Sequence, residues 1–161
     1  MLFRSIKRMA MIHQIPYSKI TFDNDGVGGF ISGRDSTSGF IPGAIEFNNG
    51  SRPINGENYE HLKAQCYYRS GDSVARGEYY IPPEIANRPI DDKHTLKSLM
   101  LFERKAIKRG KIDNDGKLTL IPKSEMKAYL NGKSPDTLDA FMMREVFELR
   151  PNLGHYNTAE V

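Results

Sequence analysis

Ser134-Pro135-Asp136-Thr137-Leu138-Asp139-Ala140-Phe141 reads as the start of a helix that carries two carboxylates. Ser134 is a good N-cap residue, and Pro135 suits the first helical position, where no backbone N–H is needed. Asp136 and Asp139 are three residues apart and so share one face of the first turns. Leu138, Met142 and Leu149, with Val146 beside them, form an apolar stripe that presses the helix into a core. The acids therefore project from the beginning of an anchored element. Cap and dipole partners fit that placement, and so do metal ligands.

Working outward, the remaining composition sets the bounds. A chain of 161 residues has room for one domain with a full core. It is 39% hydrophobic and 27% charged, ordinary for a globular protein. A net charge of +3 is compatible with a polyanionic partner without pointing to one. Cys66 is the single cysteine, which excludes a disulfide framework and a thiolate zinc site and fits a cytosolic compartment. Residues 1–12 lack the apolar run and cleavage site of a signal peptide. Leu2, Ile6, Met9 and His13 fall instead at helical spacing with cations opposite, and no stretch reaches membrane-spanning length.

The element pattern alternates helices with short strands. Helix is expected over 2–14, ended by Pro16, and strands over 19–22 and 41–47. A long helix follows over 58–75, then a brief strand over 78–81. A strong helix over 95–108 carries Leu96, Leu99, Met100, Glu103 and Ile107 at helical spacing. Residues 111–121 read as a hairpin turning on Asp115-Gly116. A short helix over 123–130 ends at Asn131-Gly132, and the helix from Ser134 is the last element. Such alternation predicts an α/β fold with a mixed sheet. Residues 1–149 are expected to form the domain and 150–161 a loose tail.

Asp-Asn-Asp-Gly occurs twice, at 23–26 and 113–116. Set on a calcium-loop template, the first copy puts Thr21 and Ser32 where acids belong; the second puts Lys111 and Pro122 there. Both are turn chemistry. The first copy nonetheless places Asp23 at a strand end, ahead of Gly26-Val27-Gly28-Gly29. Those glycines lack the Lys-Ser/Thr of a Walker A loop and the dinucleotide spacing. Asp23 at a strand end and Asp139 at a helix start are hard oxygen donors of the kind magnesium or manganese takes.

Taken in order, these segments resemble the C-terminal nuclease domain of the large subunit of phage terminases, the DNA-packaging motors. The resemblance rests on Asp23-x-x-Gly26-Val27-Gly28, on Asn58 through Gln65, and on the run from Leu96 through Lys111-Ile112, Leu118 to Lys123 and Lys127. It is completed by Ser134-Pro135-Asp136-x-x-Asp139-Ala140, and spans residues 2 to about 149. It implies a ribonuclease H-like fold that cuts concatemeric double-stranded DNA with two Mg2+ or Mn2+ ions during genome packaging in the host bacterial cytoplasm. Asp23 and Asp139 would be catalytic metal carboxylates, with Asp25 and Asp136 as neighbouring ligands. Lys123 and Lys127 would contact DNA phosphate. The phage portal and the small terminase subunit would be partners, and no membrane is involved.

Two departures accompany the resemblance. The family's first acid lies on an opening strand ahead of the first helix, yet residues 1–22 hold no Asp or Glu. The fold is therefore expected to lack its first strands, its first metal carboxylate and the terminase ATPase domain, and the isolated chain to cut DNA weakly or not at all. The alternative is a catalytically impaired remnant that binds DNA or the portal. A junction resolvase is a third, weaker reading.

Overall fold

The computed structural model describes residues 2–25, 31, 39–112 and 115–150. The readings of Gly26 to Gly29, of Asp113-Asn114 in the second turn and of the tail from 151 onward lie outside the described residues. The chain divides into two compact units, Met1–Ser51 with Met143–Val161, and Arg52–Met142.

In the first unit, α1 spans Leu2–Ile12 and stops where Gln14 takes a left-handed φ of 52° ahead of Pro16. Strands β1 (Thr21–Asp23) and β2 (Ile45–Phe47) pair in parallel, with Thr21 opposite Ile45 and Asp23 opposite Phe47. Both are shorter than the sequence suggests. Tyr17–Lys19 forms a 3-10 turn ahead of β1. A turn at Gly43, with φ of 84° and Ala44 N–H donating to Ile41 O, delays β2. Phe22, Ile41 and Ala44 form the core, with Ile6, Tyr17, Ile20 and Ile31 packed on it. The expected single last helix breaks at Arg144, and α7 (Glu145–Leu149) buries Val146 and Leu149 in this unit.

The second unit is mostly helical: α2 (Leu62–Ala75), α3 (Pro83–Ala86), α4 (Leu96–Glu103), α5 (Lys123–Tyr129) and α6 (Asp136–Met143). The long helix starts at Leu62 rather than at 58, because residues 58–60 serve a different partner. Glu60 N–H donates to Leu118 O, and Leu118 N–H to Asn58 O. His61 then caps α2, its Nδ1 accepting from Ala64 N–H. No strand forms over 78–81. Gly77, at φ of 70°, and Glu78 instead close α2 by donating back to Val74 O and Ser73 O. That is a Schellman closure, and it consumes the N–H groups a strand would use.

The expected hairpin is present as pairing without full strands. Arg109 bridges Leu120 in antiparallel fashion, and Gly110 N–H donates to Thr119 O. A side chain at Gly110 would collide with Thr119 Oγ1 and the Leu120 backbone, so this close approach needs glycine. Ala106, Met126 and Leu130 form the nearby core. The result is an α/β chain whose described sheet is small and parallel, where a mixed sheet was expected. No helix among the described residues is long and apolar enough to cross a membrane.

Candidate functional site

The acids singled out by sequence fall at two places with different surroundings. Asp23 ends β1 and is exposed, as is Asp25. Asp23 Oδ1 accepts from Asp25 N–H at 2.9 Å and from Asn49 Nδ2 at 3.1 Å. The same Asn49 amide donates to Asp25 Oδ2 at 2.7 Å. Asn49 thus gathers the two carboxylates, and it does so from the loop that leaves β2. The neighbouring Asn24 ties the two strand ends together, donating to Glu46 at 3.0 Å and Asn48 at 3.2 Å. Its Oδ1 is buried without a hydrogen-bond partner among the described residues. Among the described residues, the donors to Asp23 and Asp25 are neutral amides, and no cation pairs with either carboxylate. An exposed pair of hard oxygen donors, negatively charged and held together, fits a divalent cation such as magnesium or manganese.

The helix start is built differently. Ser134 does not cap it, because α6 begins only at Asp136. The cap is the buried carboxylate of Glu103, at the end of α4. Glu103 accepts from Thr137 N–H at 3.3 Å and Leu138 N–H at 2.8 Å. Those N–H groups are unpaired within any helix, and an anion there also meets the positive end of the helix dipole. The sequence had put Glu103 on an apolar stripe. Its burial is right and its partner is not apolar.

With the cap supplied by Glu103, Asp139 is released for other contacts. Lys63 Nζ lies 2.8 Å from both of its oxygens. Tyr67 OH donates to Asp139 Oδ1 at 2.5 Å. Lys63 and Tyr67 are one turn apart on α2 and so share a face. Burial, then the charge and hydrogen bond of Asp139, push the Tyr67 phenol far above its ordinary value of 10.0. Asp136 is exposed and makes no side-chain hydrogen bond or ion pair with a described residue, so the structure separates the two acids of the opening stretch into a held one and a free one. Lys123 is exposed and Lys127 half-buried on α5, and neither makes an ion pair with a described residue. Among the described residues no three His, Cys, Asp or Glu side chains gather as a metal-binding group.

Asn49, Lys63, Tyr67 and Glu103 were not among the site residues read from the sequence. The spacing of Lys63 and Tyr67 was available there. The partners that Asn49 and Glu103 find 24 and 35 residues away were not.

No protein-family model and no curated protein gives a significant match to this chain. Solved structures do. The chain is similar to nuclease domains of phage large terminase subunits. In particular, it superposes on a lysine-to-alanine mutant nuclease domain of the large terminase subunit gp2 of bacterial virus Sf6 with manganese. The TM-score is 0.57 at 28% identity, covering 85% of this chain and 68% of that one. The same mutant domain with calcium and a further structure of the gp2 nuclease domain of Sf6 match at the same TM-score and identity, each with 67% of its own length covered. The resemblance read from the sequence is borne out, and a terminase-type nuclease role is supported.

Proposed function

We propose that this chain is the nuclease portion of a phage packaging terminase, with a ribonuclease H-like fold, and that it cleaves concatemeric double-stranded DNA with divalent metal. The 28% identity over 85% of the chain to a nuclease domain solved with manganese carries this reading. Asp23 with Asp25, and Asp139 with Asp136, are the carboxylates proposed as metal ligands, with Mg2+ or Mn2+ as the ion. These carboxylates would hold the ions, whose chemistry there would be activation of a water and stabilisation of the leaving oxygen of a phosphodiester. Asn49 keeps Asp23 and Asp25 together, and Tyr67 fixes the orientation of Asp139. Lys123 and Lys127 are proposed to contact DNA phosphate, where ammonium groups without ion-pair partners among the described residues are available to replace condensed counterions. The portal and the small terminase subunit remain proposed partners, and the host cytoplasm the proposed compartment.

A second reading keeps metal and DNA binding without turnover. Its support is that, among the described residues, no three His, Cys, Asp or Glu side chains gather as a metal-binding group. Nicking of supercoiled plasmid in manganese separates the two. Slow nicking that disappears in Asp139→Asn supports the nuclease. Plasmid retardation by the chain without nicking supports the binding remnant. Cleavage that persists with a chelator present contradicts both.

A further inference from the structure

We propose that Lys63 is a resident counter-ion of Asp139, a cation latch that a divalent metal must displace before that carboxylate can bind it. The inference rests on Asp139 being a metal ligand, and it goes further by naming the group that controls access.

The geometry points to this role in three ways. Lys63 Nζ sits 2.8 Å from both Asp139 oxygens, so the ammonium stands where an approaching cation would stand. Both side chains are largely shielded, at 19% and 24% exposure, which strengthens their attraction relative to a pair in open water. Asp139 is the single carboxylate with which Lys63 pairs among the described residues. The ammonium also lies 5.8 Å from the Tyr67 ring centroid. Tyr67 meanwhile holds Asp139 Oδ1 from the same face of α2. The carboxylate is thus oriented and neutralised at once.

A divalent ion and an ammonium cannot share one carboxylate without strong like-charge repulsion. Metal binding at Asp139 must therefore swing Lys63 away, and the flexible four-carbon stem of lysine permits it. Lys63 is a positioning residue in this scheme. It keeps Asp139 placed in the metal-free protein and sets a threshold of metal concentration for loading.

Manganese binding to the full chain, followed by loss of the free-ion paramagnetic resonance signal, tests the latch. The unmodified chain, Lys63→Met, Asp139→Asn and the double variant are compared. Lys63→Met is expected to bind about tenfold more tightly or better, as expected on removing a close unit charge. The gain is expected to vanish in the double variant. Equal or weaker binding by Lys63→Met, while Asp139→Asn weakens the unmodified chain, overturns the latch and leaves Asp139 a ligand. If Asp139→Asn changes nothing, the ligand assignment itself fails and the latch falls with it. Should Lys63→Met not fold, Lys63→Arg decides. A guanidinium pairs a carboxylate through two bonds, so manganese binding should weaken severalfold, and unchanged or tighter binding overturns the proposal.

Discussion

The end of β1 and the start of α6 both present an aspartate, yet the chain treats them in opposite ways. Asp23 is exposed and, among the described residues, accepts from neutral donors, Asp25 N–H and Asn49. Asp139 is half-buried, with an ammonium across both oxygens and a phenol on one. One acid is held in place and left charged; the other is held in place and neutralised. The contrast teaches that the same side chain at the end of an element can be ready for a cation or already supplied with one. What decides is the neighbouring element. A polar loop adjoins Asp23, whereas one face of α2 adjoins Asp139.

Variants can break this contrast, and the largest expected effect lies beneath Asp139. Glu103→Ala removes the cap of α6 and leaves Thr137 and Leu138 N–H unsatisfied. It should cost about 2–3 kcal/mol in urea unfolding, against less than about 0.5 for Ser134→Ala. Equal costs would return the cap to Ser134.

Tyr67→Phe comes next. It deletes a hydrogen bond to a charged group and should cost about 1.5–2 kcal/mol. It also carries a pH signature. The folded-state pKa of Tyr67 is raised above its ordinary 10.0, so its contribution is complete below pH 10.0. That contribution fades as the pH rises past 10.0, because the unfolded state then releases the proton more readily. Tyr67→Phe should flatten the alkaline loss of stability, and an unchanged alkaline limb would break the account of Asp139. The smallest effect belongs to the strand end. Asn49→Ala touches exposed groups and should shift stability by no more than about 0.5 kcal/mol. Its consequence should appear instead in weaker manganese binding, since Asp23 and Asp25 lose the amide that gathers them.

Much of this was legible in the chain. The helix starts near Leu96 and Lys123, the ends of the two strands and the placing of Asp23 at the first of them follow from local spacing and turn chemistry. Leu96 even gained the Thr95 and Ser98 capping box that short-range chemistry favours. Two readings failed where a distant residue displaced a local one, and a third where a local closure did. Ser134 was the local cap, and Glu103, 35 residues from Leu138, took its place. Residues 58–60 had helical spacing, but Leu118 drew their backbone into a bridge. A strand was plausible over 78–81 until Gly77 and Glu78 closed α2 instead. Asp139 was read correctly as an acid at a helix start, while its partners Lys63 and Tyr67 lie over 70 residues away.

The metal site that the nuclease reading requires is tested most directly by the melting temperature of the full chain with and without manganese. A ligand that binds the folded state alone stabilises by mass action, by about 2.7 kcal/mol at a hundredfold excess over its Kd. The account predicts a clear rise in the unmodified chain that is lost in Asp23→Asn, where the exposed pair of carboxylates is broken. No rise in the unmodified chain, or a rise that survives in Asp23→Asn, would contradict it.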